Sequence, residues 1–138
     1  MFHPIEIPFG SKMLFNVVDL KDGITIEDVE LLIGEMCNIV KNNYGDCNGG
    51  FVGGQVFRNA GFISEEGSVK EDTNENKRVE QNMGDIVLVT YWKSFEQHEA
   101  SHADKLFNEK FAQLAEYCDS TFEVGYDMLW QGTPESES

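Results

Sequence analysis

The hydrophobic pattern of this chain changes period several times, and the order of those changes leaves few folds open. From Met13 to Leu20 the pattern alternates, with Leu14, Asn16, Val18 and Leu20 on one face and Met13, Phe15 and Val17 on the other. Apolar residues on both faces predict a strand covered on both sides. Thr25 then opens a helix, with Asp28 three residues on in the place of a shortened capping box. Ile26, Val29, Ile33, Met36 and Val40 recur at spacings of three and four, a buried helical stripe that ends at Asn42, Asn43 and Gly45. The glycine-rich stretch 49–54 leads into a second strand through about Ile63. Ile86 to Trp92 is β-branched and aromatic, the clearest strand of the chain. Ser94 and Gln97 form a Ser-x-x-Gln capping box, which predicts a helix running to about Tyr117. Phe122, Val124, Tyr126, Met128 and Trp130 alternate along a last strand.

The order β-α-β-β-α-β predicts an α+β fold of the ferredoxin-like type, with two helices on one face of an antiparallel sheet. The other sheet face stays apolar, so a homodimer or larger homo-oligomer is expected to bury it. The 138 residues suit one domain, whose core needs neither disulfide nor structural metal. Residues 1–11 hold two of the three prolines and read as an N-terminal arm. Residues 64–85 are polar and acidic, a long loop or frayed hairpin of a length that is usually functional or disordered. Residues 133–138 read as an acidic tail.

Lys and Arg number 10 against 25 Asp and Glu, a net charge of −15. Such a chain is repelled by nucleic acid and by anionic membrane surfaces. Its longest strongly apolar run, Ile86 to Val89, is far short of the roughly 20 residues that span a bilayer. No signal-peptide pattern opens the sequence. Cys37, Cys47 and Cys118 are odd in number and widely spaced, which fits free thiols in a reducing cytoplasm.

The candidate chemistry lies on the second helix. Its stripe reads Phe95, His98, His102, Leu106, Phe111, Leu114 and Cys118, with two histidines where apolar side chains are expected. Four residues apart on a helix, His98 and His102 have Cβ atoms about 5–6 Å from each other. Two inward imidazoles at that spacing are a common pair of metal ligands. Glu123 is the first candidate for a third ligand, and Asp127 on the same strand face is the next. Two histidines and a carboxylate suit non-haem iron(II) with open positions for dioxygen and a small-molecule substrate; zinc accepts the same donors. The plainer alternative is that both histidines pack or bond to backbone, because His-x-x-x-His often arises by chance. Cys37 lies one residue past the first helical stripe, where a free thiol is by default a small hydrophobe. The glycines of 49–54 are not followed by Lys-Ser/Thr, so no nucleotide is expected, and no Ser-His-Asp elbow is present.

The stretch Tyr91-Trp92-Lys93-Ser94 before a His-bearing helix resembles the dimeric α+β-barrel superfamily, with its cofactor-free antibiotic-biosynthesis-type and haem-degrading monooxygenases. Asn16 resembles a catalytic Asn of the haem-degrading group. That group's haem ligand would fall near Phe111, so haem is not expected. Within the superfamily the chain is most similar to the sulfur oxygenase/reductase family. Those enzymes carry Trp-Lys-x-x-x-x-His-x-x-x-His, as here from Trp92 to His102. They place a Glu after an aromatic residue with a Tyr three residues beyond, as in Phe122-Glu123-Val124-Gly125-Tyr126. They also set a cysteine on the first helix ahead of Gly-Phe-Val-Gly, matched by Cys37 and residues 50–53, and Asp19-Leu20-Lys21-Asp22 resembles the exit of their first strand. The motifs keep their order from about residue 13 to 134.

The resemblance implies iron ligands at His98, His102 and Glu123, a persulfide-forming Cys37, and oxygenation of a sulfur-containing substrate with no external cofactor. The family's chains hold two ferredoxin-like halves and this chain holds one, so a partner subunit is expected to stand in for the other. The alternatives are a cofactor-free monooxygenase of the same superfamily, with His102 as acid/base or pocket residue, and a non-enzymatic stress or binding protein on the same fold.

Overall fold

The computed structural model describes residues 3–45, 49–63, 69–70 and 84–135. Its elements are β1 (Lys12–Leu20), α1 (Ile26–Asn43), β2 (Phe51–Arg58), β3 (Phe62–Ile63), β4 (Val69–Lys70), β5 (Ile86–Trp92), α2 (Phe95–Ser101), α3 (Lys105–Ala115) and β6 (Cys118–Asp127). Four strands form one sheet in the order β2-β5-β1-β6, every neighbouring pair antiparallel. The two long N-terminal strands of the pattern thus lie apart, with β5 between them. This is the ferredoxin-like α+β arrangement.

Thr25 N–H donates to Asp28 Oδ2 at 2.8 Å, so the aspartate reaches back to the start of α1 as its spacing predicts. Val29, Ile33, Met36 and Ile39 are the buried residues of that helix; Ile39, not the expected Val40, takes the last inward position. With Val18, Leu20, Ile86, Leu114 and Cys118, the first three of them form the main core. A fully buried aliphatic side chain contributes about 1.5–3 kcal/mol, so these positions dominate the packing energy. In register, the core occupies the Leu20–Ile86–Cys118 end of the sheet. The opposite end, where Lys12 pairs with Trp92 and Asp127, is left for the candidate site.

Three expectations are corrected. The expected single second helix is two, because Asp104 interrupts it: its carboxylate accepts the Phe107 N–H at 2.8 Å and starts α3 as an N-cap. The phase shift that follows leaves Leu106 and Phe111 exposed, and brings Phe107 against the core beside the buried Leu114. The second strand ends at Arg58, and Phe62–Ile63 instead pairs with Val69–Lys70 as a short hairpin. The rest of the acidic segment 64–85, save these two residues and Gly84 and Asp85, lies outside the described residues. The last strand runs from Cys118 to Asp127 and not to Trp130. Its polar start, Asp119 to Thr121, hides it from a hydrophobic pattern, but it is an edge strand that pairs, among the described residues, with β1 alone.

Residues 3–11 contain no helix or strand, and Ser11 is tied to the Pro8 carbonyl through both its N–H and its hydroxyl. Of the acidic tail, 133–135 is likewise irregular and 136–138 lie outside the described residues. On the sheet face away from the helices, Phe57, Phe122, Val124 and Tyr126 are 37–49 % exposed. Among the described residues no helix is long and apolar enough to cross a membrane.

Candidate functional site

Side chains on paired antiparallel strands share a face when directly opposite. Asn16 stands opposite both Leu88 and Glu123, on the face that also carries the buried Leu14, Val18 and Leu20. Glu123 therefore points toward the helices. Gly125, two residues on, lets the Phe95 ring of α2 lie against the strand, in space that a Cβ would contest. That close approach lowers the first turn of α2 onto β6 and brings His98 down to Glu123.

The start of α2 is fixed from a second side. Gly50 has φ +79° and leaves no room for a Cβ against the Gln97 side chain, while its carbonyl accepts the Lys93 N–H at 2.8 Å. Ser94 Oγ caps the helix by accepting from Gln97 N–H at 3.1 Å. The glycine-rich turn thus serves close packing, as expected of glycine at a positive φ.

Three donor atoms converge in this niche. His98 Nε2 lies 3.2 Å from Glu123 Oε2 and 3.1 Å from His102 Nε2, and His102 Nε2 lies 3.9 Å from Glu123 Oε1. These three residues offer ligand atoms all within 4.8 Å of one another. Donors held about 2.1 Å from a common centre are about 3.0 Å apart at right angles and about 3.4 Å apart at the tetrahedral angle. The two shorter separations match those values, so the donor set fits a transition metal by chemistry and by spacing.

His98 is buried, with Trp92 edge-on at 5.3 Å and His102 edge-on at 4.3 Å between ring centroids. Trp92, 1 % exposed, is itself held by its Nε1–H bond to Thr90 Oγ1 at 3.0 Å and by the edge of Phe51. The side chains of His102 and Glu123 keep 41 % and 30 % exposure, so the niche opens to solvent through them. The His102 ring lies parallel to Phe107, 6.5 Å away.

Asp127, the other candidate ligand, is paired with Lys12 Nζ at 2.7 Å and takes no part in the cluster. Cys37 sits on α1 and is exposed, outside the cluster; the protein atoms around its sulfur nonetheless push its thiol above the ordinary value. Cys118 is buried, and its Sγ donates to the Leu114 carbonyl. Cys47 lies outside the described residues. Two shallow, open clefts, of about 220 Å³ beside Arg58 and Asp85 and about 300 Å³ between Leu31 and Lys110, are lined by none of the cluster residues.

Sequence reading missed one support of the site, Asp104, although aspartate favours a helix N-cap over a helix interior. Trp92 is marked in the sequence as the start of the Trp-Lys-x-x-x-x-His-x-x-x-His motif, but its packing against His98 is visible only in the fold.

No protein-family model and no curated protein matches this sequence. Solved structures do. SnoaB, a cofactor-independent oxygenase from Streptomyces nogalater, superposes with a TM-score of 0.61 at 12% identity, over 91% of this chain and 99% of its own. A dimeric protein of unknown function and ferredoxin-like fold from Bacteroides fragilis gives 0.56 at 13% identity, over 86% and 97%. Hydroxynitrile lyase from Passiflora edulis gives 0.58 at 8% identity, over 91% and 100%. At these identities the likeness is one of fold, and the fold hosts more than one chemistry.

Proposed function

We propose that the protein is an oxygenase-type enzyme that holds one divalent transition metal, iron(II) foremost, on His98, His102 and Glu123. The convergence of three donor atoms in one niche carries this reading, and the resemblance to sulfur oxygenase/reductases supports the choice of iron. When bound, such a metal supplies open coordination positions for dioxygen and a small substrate, together with redox chemistry. The chain's own residues do the rest. His98, buried and wedged by Trp92, is the fixed donor. His102 and Glu123, on the open side, border the approach from solvent. Asn16 lies beside Glu123 and donates to the Leu88 carbonyl at 3.2 Å, which keeps that wall of the niche polar.

In this reading the substrate is a small molecule with a sulfur–sulfur bond, the Cys37 thiolate attacks one of its sulfurs to form a persulfide while the other leaves as a thiolate, and a second copy covers the apolar sheet face. Dimerisation of a structural neighbour supports the last point.

A second reading has its own support. SnoaB, of the same fold, is a cofactor-independent oxygenase, which supports metal-free oxygenation as the alternative to iron. The His98–Glu123 contact at 3.2 Å then serves as a proton-transfer pair, with His102 as its extension toward solvent.

Elemental analysis of untagged protein purified anaerobically separates the two. About one iron per chain in the wild type, lost in His98→Ala, is the expected result. A folded wild type that takes up no metal after incubation with iron(II) moves the assignment to the second reading, to be followed by oxygen uptake with electron-rich aromatic substrates.

A further inference from the structure

We infer that Tyr44, Asp104 and Asn108 are positioning residues for His102, acting through the break between α2 and α3. The inference rests on reading His98, His102 and Glu123 as one functional set. His98 lies within α2 and is buried by its surroundings. His102 is the C-cap of that seven-residue helix: its N–H bonds to the Glu99 carbonyl at 3.0 Å in a three-residue turn, and the chain then leaves the helix. Helix ends fray when nothing else holds them, so α2 by itself is a poor anchor for a ligand at its last position.

The anchor is tertiary. Asn108 Nδ2 donates to the His102 carbonyl at 2.9 Å, which ties the histidine backbone to the first turn of α3. The ring of Phe107, from that same turn, lies parallel to the His102 imidazole. The turn itself is set by Asp104, whose Oδ1 accepts from Phe107 N–H at 2.8 Å. Its other oxygen, Oδ2, accepts the Tyr44 hydroxyl at 2.8 Å. Tyr44 is the C-cap of α1, and its N–H is bonded to the Val40 carbonyl at 2.9 Å. One hydroxyl thus joins the C-terminal end of the 18-residue α1 to the break behind His102. With both oxygens of Asp104 engaged, the carboxylate cannot turn without releasing either the α3 cap or the α1 tie. Loss of the tie frees the break, and the His102 imidazole moves with it relative to His98, which α2 and Trp92 still hold.

Full-length wild type, Tyr44→Phe, Asp104→Ala and Asp104→Asn are titrated with cobalt(II), read by visible absorption. Metal-free samples with isotope-labelled histidine report the ring shifts of His98 and His102 by NMR. Groups that orient metal ligands typically contribute about 10–100-fold to affinity, and a weakening of that size is expected in Tyr44→Phe and Asp104→Ala. Asp104→Asn keeps an acceptor oxygen for Phe107 N–H and puts an NH2 where Oδ2 was, which can donate to the Tyr44 oxygen in reversed polarity, and is expected to rescue most of the affinity. In the metal-free protein, Tyr44→Phe is expected to move the His102 ring signals and leave those of His98 in place. Unchanged cobalt affinity and unchanged His102 signals in folded Tyr44→Phe overturn the inference, as does a lower melting temperature with neither readout altered. A wild type that takes up no cobalt refutes the metal reading alone. The His102 signals of metal-free Tyr44→Phe then decide this inference by themselves, movement upholding it and no movement overturning it.

Discussion

At the level of single residues, the contrast between His98 and Cys37 shows what position does to chemistry. Spacing and family resemblance both point to His98, whereas resemblance alone points to Cys37. His98 lies where strand, helix and a second imidazole meet, because Gly125 and Gly50 let α2 come close to the sheet. Cys37 lies on the outward side of α1, one step beyond the buried Met36. Crowding by protein atoms disfavours its thiolate and raises its pKa from the ordinary 9.0. The neutral thiol is therefore the form present at neutral pH, and the thiolate is the nucleophile. Alkylation of Cys37 by iodoacetamide, followed by mass spectrometry of its peptide, is expected to be slow at pH 7 and to keep accelerating above pH 9. Rapid labelling at pH 7 would reveal an activated thiol and strengthen the persulfide role.

At the level of elements, the α2–α3 break separates two ways of building a helix face. An unbroken helix puts Leu106 and Phe111 on the stripe with the histidines, whereas the broken one turns Phe107 and Leu114 inward and leaves those two in water. Leu114 is 2 % exposed, so Leu114→Ala opens a cavity and is expected to cost about 2–5 kcal/mol. Phe111→Ser removes a side chain already 40 % exposed and is expected to cost about 1 kcal/mol or less. Urea unfolding of the two variants measures both values. Equal, large losses would mean that the helix runs on unbroken. The capping box marks the helix start and the periodicity marks the histidine pair and Leu114; the break escapes both because one capping bond, worth little in a hydrophobic pattern, resets the phase.

At the level of the whole molecule, the unpaired sheet face and the net charge pull in opposite directions. Phe57, Phe122, Val124 and Tyr126 present apolar surface that a second copy would bury, while each copy brings a charge of −15. Added salt screens that repulsion and leaves the apolar contact intact. A dimer in solution is therefore expected to tighten as salt is raised from low ionic strength, and Phe122→Glu is expected to give a folded monomer. Sedimentation velocity across a salt series tests both. A wild type that stays monomeric at high salt would leave that face to some other cover.

The order of periods along the chain determined the class of fold, since strand and helix patterns in that sequence close a ferredoxin-like sheet in few other ways. Spacing alone determined that His98 and His102 share a helix face, because four residues make about one turn. Tertiary structure decided the rest. That Glu123 meets the histidines and Asp127 meets Lys12 depends on strand register, which is set by β1 lying between β5 and β6. That His102 reaches the cluster from the end of a short helix depends on Tyr44, 60 residues from the aspartate it holds. Local periodicity records which face a residue occupies, and only the packed chain records which residue stands opposite.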